Sequence, residues 1–122
     1  TAECYYNRAL AESARNRPAP AFRDYSRALE LDPKLTDAAL NRGILSYEAR
    51  RYDEAIKDFK RALAATTDVA ALGRIQYNLA LAHLAQGDRA EAISSTQRSL
   101  AHGYDDARVL LDKLSKAARP PR

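Results

Sequence analysis

Apolar side chains recur along this chain three and four residues apart, the period of a helix with one face turned inward. Leu40, Ile44 and Tyr47 share such a face, and so do Leu79, Ala82 and Ala85. The periodic stretches are short and break at Asn16-Arg17-Pro18, Arg50-Arg51-Tyr52 and Gln86-Gly87-Asp88. After each break comes a stripe of small residues seven apart: Ala21 and Ala28, Ala55 and Ala62, Ala92 and Ser99. Small side chains at that spacing let a second helix approach closely. The pattern predicts helices near 2–15, 19–31, 34–49, 53–65, 68–86, 89–102 and 106–118, and no strand.

The breaks carry turn chemistry. Asn16 and Gly87 suit the left-handed conformation that ends a helix, and Arg50 must take the same place under strain. Asp32-Pro33 reads as an N-cap followed by proline at the first helical position, and Thr67-Asp68 as a similar start. The acid pairs Asp53-Glu54 and Asp105-Asp106 sit where helices begin and offset the helix dipole.

The chain also repeats itself. Shifted by 34, Asn7-Arg8 falls on Asn41-Arg42, Ala21 on Ala55, Asp24 on Asp58, Tyr25 on Phe59, and Arg27-Ala28-Leu29 on Arg61-Ala62-Leu63. A third copy, displaced by 37, brings Asn78-Leu79-Ala80, Ala92-Ile93 and Arg98-Ser99-Leu100 into register, with the extra residues in the Ala64–Leu72 junction. On these residues the chain resembles the tetratricopeptide repeat, a helical hairpin of this period with small and aromatic residues at fixed places. Ala9, Ala21, Tyr25, Ala28 and Pro33 fill those places in copy one (2–35). Gly43, Tyr52, Ala55, Phe59 and Ala62 fill them in copy two (36–69), and Ala80, Gly87, Ala92 and Ser99 in copy three (73–106). Thr96 stands for the aromatic in copy three and Thr67 for the proline in copy two.

The resemblance implies an all-α fold: a right-handed superhelical solenoid of three helix-turn-helix repeats over 1–118, closed by a capping helix. Residues 106–118 fit that cap, with Ala107, Leu110, Leu111, Leu114 and Ala118 on one stripe. Arg119-Pro-Pro-Arg122 reads as a frayed end or the start of a linker.

In this family the first helices of successive repeats line a concave groove. Carried over residue by residue, the groove would present Tyr6, Asn7 and Leu10 from copy one. Copy two would add Leu40, Asn41, Ile44 and Tyr47, and copy three Arg74, Tyr77, Asn78, Leu81 and Leu84. An asparagine recurs at one place in all three copies, and an amide that both donates and accepts suits either a peptide backbone or the packing of repeats. The tyrosine-bearing apolar lining suits a contact surface. Family members that clamp acidic chaperone tails use lysine, asparagine and arginine along this face. Here Asn41 fits and Arg74 replaces a lysine, but Tyr6 and Leu10 fill the first-hairpin places and Asn78 stands where arginine is needed. A two-carboxylate clamp is therefore not expected.

Composition narrows the rest. The net charge of +4 resides in the tail, where Arg108, Lys113, Lys116, Arg119 and Arg122 face one acid, Asp112; residues 1–107 balance. A balanced body does not build the field that nucleic acid binding needs. No apolar run reaches the length of a membrane span. His83 and His102 lack carboxylate or cysteine partners at metal-ligand spacing, so they read as packing and helix-end residues, with no metal and no cofactor expected. Cys4, the single cysteine, reads as a half-buried thiol without a base, and the glycines stand singly, so no phosphate loop and no enzyme is expected. Heavy use of arginine and alanine suggests a bacterial source. A start at Thr1 with no methionine suggests a piece of a longer chain, and the compartment stays open. The expected function is a protein-interaction module, an adaptor or scaffold holding a protein or peptide in the groove. The alternative is self-association as a homo-oligomer, or scaffolding within a longer repeat protein, with the outer face of the first hairpin exposed.

Overall fold

The computed structural model describes residues 1–117, so the expectations for Ala118 and the 119–122 tail lie outside the described residues. Among the described residues there are seven helices and no strand: α1 (Ala2–Ala14), α2 (Pro18–Leu31), α3 (Thr36–Glu48), α4 (Tyr52–Ala64), α5 (Val69–Ala85), α6 (Arg89–Ala101) and α7 (Asp106–Ala117). They form two compact units. The first, Thr1–Ala65, holds the hairpins α1–α2 and α3–α4; the second, beginning at Thr66, holds the hairpin α5–α6 and α7.

Each hairpin turn is made by the same backbone device. After α1, Asn16 adopts φ 57°, its N–H bonds the Ser13 carbonyl, and the Arg17 N–H reaches back to Glu12. Arg50 (φ 63°), Gly87 (φ 84°) and Gly103 (φ 85°) repeat this paired closure after α3, α5 and α6. The closure satisfies carbonyls that a helix end leaves open, and it requires a left-handed residue. Glycine adopts that conformation without strain; Arg50 does so against its own Cβ.

The small stripes are the sites of helix contact. Ala21, Ala28, Ala55, Ala62, Ala92 and Ser99 are all fully buried. In the first unit Tyr25 and Phe59 fill the space beside them, and Gly43 is required there: a Cβ on it would lie 2.6 Å from the Phe59 ring. In the second unit the aromatic place is taken by Thr96, whose hydroxyl bonds the Ala92 carbonyl at 2.6 Å, and Ser99 bonds the Gly73 carbonyl at 2.6 Å. Helix α7 packs on α6 through Ala107 and Leu114, and Arg89 donates to the Leu114 carbonyl at 3.0 Å.

Two local expectations are corrected. Asp32-Pro33 does not start α3. Asp32 ends α2, its Oδ1 accepts from the Lys34 N–H, and the helix begins after Leu35 without a side-chain cap. Asp32 is extended and its carboxylate takes the Lys34 N–H, so the chain turns over 32–35 and the proline lies in that link. Cys4 is exposed rather than half-buried, on the outer side of α1, where its thiol accepts from the Thr1 hydroxyl. Asp68 does cap α5, accepting from the Ala71 N–H.

Candidate functional site

In the first unit α1, α2 and α3 enclose an open cleft of about 450 Å³. Leu10, Ile44 and Leu45 supply its apolar wall, and Ser13, Tyr25 and Asn41 its polar points. The helical period sets this arrangement, because Leu10 and Ser13 stand one turn apart on α1, and Asn41, Ile44 and Leu45 do so on α3. Leu10 is 39% exposed and offers its side chain to the cleft. The Asn41 amide donates to the Tyr6 hydroxyl at 3.2 Å, and the Tyr6 ring tilts against Tyr25 at 5.9 Å between centroids. Burial pushes the Tyr25 phenol above its ordinary pKa, offset in part by the Ser13 hydroxyl 3.5 Å away. The phenol is therefore neutral across the physiological range.

The expected groove residues do not share one environment. Leu40 is 2% exposed and belongs to the core, so it offers no contact to a partner. A 3.6-residue period widens into a face that both the core and the cleft can claim, and packing assigned Leu40 inward. Tyr47 is half-buried against Tyr52, at 5.5 Å between centroids, and Asn7 is exposed. In the second unit Tyr77 is half-buried against Tyr104 at 5.1 Å. Burial raises its pKa, with smaller contributions from Asp106 and Tyr104. Leu81 and Leu84 are half-buried and Arg74 is exposed. The Asn78 amide donates to the carbonyl of Arg74 in its own helix at 3.0 Å. The three asparagines thus have three different settings, two of them within the fold.

Sequence reasoning missed the ion pairs that hold the first unit's hairpins. Arg8 makes a two-pronged contact with Asp24 at 2.7 and 2.6 Å, and Arg42 makes the same contact with Asp58 at 2.8 and 2.7 Å. The signal was present, since both arginine and aspartate recur sixteen apart in the 34-residue overlay. The Arg8 guanidinium holds the Asp24 carboxyl below its usual range, against the opposing effect of burial. Glu12 moves the other way, raised first by the neighbouring Asp24 carboxylate and then by burial. Leu79 and Ser95 occupy the corresponding places in the second unit, where no such pair can form.

Two models of the tetratricopeptide repeat match the chain, one over residues 2–35 and one over 35–105. The chain belongs to the tetratricopeptide repeat family. Solved repeat domains share its fold. The N-terminal domain of stress-induced protein-1 from C. elegans matches with a TM-score of 0.85 at 19% identity, covering 93% of this chain and 94% of that one. The first repeat domain of Spaghetti, bound to an HSP90 peptide, matches with a TM-score of 0.86 at 19% identity over 95% and 91%. The MamA protein matches with a TM-score of 0.83 at 22% identity over 95% and 63%. Over 66 residues the chain is 35% identical to a UDP-N-acetylglucosamine–peptide N-acetylglucosaminyltransferase of Giardia intestinalis. That stretch is 54% of this chain and 4% of the enzyme, so the chain spans a small part of that relative. No helix among the described residues is long and apolar enough to cross a membrane.

Proposed function

We propose that this tetratricopeptide repeat chain is a protein-interaction module that holds an extended partner segment on the faces of its first helices. The cleft between α1 and α3 carries the reading: it sets exposed Leu10 and half-buried Ile44 beside the amide of Asn41 and the hydroxyl of Ser13. Apolar wall with a few polar points is the make-up of a site that takes a side chain and steers the backbone beside it. Asn41 uses one amide N–H on Tyr6 and keeps its carbonyl and second N–H for a partner. In the second unit Tyr77, Leu81 and Leu84 form the corresponding face, with Arg74 at its edge. Asn78 contributes less there, because its amide is already bonded to its own helix.

The Spaghetti domain is bound to an HSP90 peptide. Acidic-tail capture does not carry over to this chain, in which Tyr6, Leu10 and Asn78 stand where the resemblance implies basic or amide residues. A neutral, tyrosine-edged lining favours partners held by shape and hydrogen bonds. Catalysis forms no part of the reading.

The test is selection of binders from a displayed peptide library, followed by titration of the best peptide. Ile44→Lys should abolish binding to the first unit's cleft, and for a peptide held on the second unit Tyr77→Ala should weaken binding more than Asn78→Ala. A central aromatic is worth about 2 kcal/mol or more on truncation, whereas a neutral hydrogen bond is worth roughly 0.5–1.5 kcal/mol. Affinity should change little between low and high salt. Binding that survives Ile44→Lys, or that collapses with salt, would move the site to Arg74 or to the turn arginines.

A further inference from the structure

Leu45 and Ala49, which line the α1–α3 cleft, also line a second hollow of about 390 Å³ between α2 and the end of α3. Phe22 walls it, Ala19 and Ala49 leave it room, and Arg23 and Arg51 complete its lining. Both arginines are exposed, and neither forms an ion pair among the described residues. Arg51 holds the N-cap place of α4 without a side-chain cap bond, so its guanidinium has no duty at the helix start. Arg23 acts on Glu12 and Asp24 through charge alone. Ser46 also lines the hollow. It is 2% exposed, and its hydroxyl is buried with no hydrogen-bond partner among the described residues. That is a cost the fold keeps and a bound polar group removes.

The ring wall is held in place. Phe22 lies 5.7 Å from the Arg42 guanidinium carbon, and Arg42 Nη1 donates to Ser26 on the same helix at 3.2 Å. Under that cover Arg42 is 18% exposed, while Arg8, its counterpart in the first hairpin, is 64% exposed. The residues of the hollow do not recur. The overlay has Tyr52, Asp53, His83 and Gln86 where Pro18, Ala19, Ser46 and Ala49 stand, and Asp88 where Arg51 stands. Ile56 and Ala82 replace Phe22 and Leu45. Four of these exchanges bring in a bulkier side chain, and that of Arg51 reverses a charge. An aromatic wall, a small floor and two arginines therefore come together once along the repeats.

We infer that this hollow takes a segment of a partner protein in which an aromatic side chain is followed by two carboxylates. The ring lies against Phe22 and Leu45 over the two alanines, and the carboxylates meet Arg23 and Arg51. Asp53 and Glu54 follow Arg51 along α4, but neither lines the hollow, so its charge is positive. A second copy of this chain is a poor source of the segment. Its two runs of an aromatic and two acids are Tyr52-Asp53-Glu54 and Tyr104-Asp105-Asp106, and their rings are packed on Tyr47 and Tyr77. The closing Arg119-Pro-Pro-Arg122 is basic and has the wrong sign. This site goes beyond the α1–α3 cleft, and the two can fail independently.

The experiment titrates the full chain with the acetylated peptide amide Gly-Phe-Glu-Glu-Gly and follows backbone amide resonances. Shifts should saturate at Ala19, Phe22, Arg23, Ser46 and Arg51, and leave Leu10, Ser13 and Asn41 in place. The peptide Gly-Phe-Gln-Gln-Gly should bind about tenfold more weakly, as loss of hydrogen bonds to charged groups does. Gly-Ser-Glu-Glu-Gly should lose a similar factor with its ring. Arg51→Glu should remove binding of the glutamate peptide while the helical circular dichroism stays the same. Affinity should fall with added salt, unlike that of the cleft. No shift at millimolar peptide, equal binding of either control peptide, undiminished binding by the Arg51→Glu chain, or indifference to salt would each overturn the inference. Shifts at Leu10, Ser13 and Asn41 would overturn it too, by placing the acidic peptide in the cleft, and would leave the cleft reading standing. Phenylacetate binding as tightly as the peptide would make a free acid the occupant. A particle mass that rises with concentration and falls on adding peptide would make it a second copy. Either result overturns the inference.

Discussion

The first and second units solve the same packing problem with different chemistry. Each hairpin of the first unit is locked by an arginine fork on a buried aspartate and by a ring, Tyr25 or Phe59, set against small residues. The hairpin of the second unit has Leu79 and Ser95 in place of the fork and Thr96 in place of the ring. Its cross-helix bond is instead the one from the Ser99 hydroxyl to the Gly73 carbonyl, while the Thr96 hydroxyl bonds the Ala92 carbonyl within its own helix. The turns differ in the same sense. In the first unit the left-handed residues are Asn16 and Arg50, and the helices after them start from Arg17 and Arg51 without a side-chain cap. In the second they are Gly87 and Gly103, and α5 and α6 are capped by Asp68 and Asp88. The second unit follows local rules at nearly every place. The first breaks several of them at its turn end, next to its cleft, which is where strain kept for binding would be found.

The comparison breaks most sharply at the fork. Asp58→Ala leaves the mostly covered Arg42 guanidinium without its carboxylate and should cost about 3 kcal/mol, as removing one partner of a buried pair does. Ser95→Ala, at the equivalent place, removes a buried hydroxyl that has no hydrogen-bond partner and should be neutral or slightly stabilising. Chemical denaturation of both variants measures this. Similar losses would mean that the fork contributes no more than the serine.

The turns give a smaller contrast of opposite sign. Arg50→Gly relieves a left-handed arginine and should stabilise by about 1 kcal/mol, while Gly87→Ala imposes the same strain and should destabilise by a similar amount. Thermal melts of the two variants, read as a pair, sharpen the claim that strain is held in the first unit's turn. If Arg50→Gly also weakens partner binding, that strain serves the site.

The smallest effect is acid sensitivity, because Arg8 is open to solvent and its attraction for Asp24 is screened. Asp24 has a folded pKa below its unfolded value. Its contribution to stability is therefore complete above the ordinary carboxylate range and is lost as pH falls through the lowered folded value. Glu12, with a raised folded pKa, has the opposite sign, so protonating it first relieves the folded state slightly. Amide exchange below about pH 4, near the unperturbed carboxylate pKa, should rise in α1 and α2, and Asp24→Asn should remove most of that pH dependence. An unchanged profile in the variant would assign the acid response to other groups.

Much of the fold was legible in one dimension. The 34-residue overlay and the small residues seven apart located three hairpins. Asn16, Arg50 and Gly87 marked where the left-handed turns fall, even at an arginine. These features are local: a helix end needs its left-handed residue and a close helix contact needs its alanine, whatever surrounds them. The site was less legible. The period put Leu10, Leu40 and Ile44 on related faces, and only packing decided that Leu40 is core while Leu10 and Ile44 line the cleft. The three asparagines look alike in sequence, but their amides are assigned by what stands within hydrogen-bond reach.

By itself, the sequence determined the helices, their breaks and the repeat, because those follow from spacing and from the backbone preferences of single residues. The tertiary structure alone decided that Asp32 ends a helix, that Arg8 and Arg42 find aspartates sixteen residues away, and that one of these two forks is covered and the other open. Those outcomes depend on which side chains a second helix brings within a few ångströms, and no periodicity along one chain encodes the distance between two.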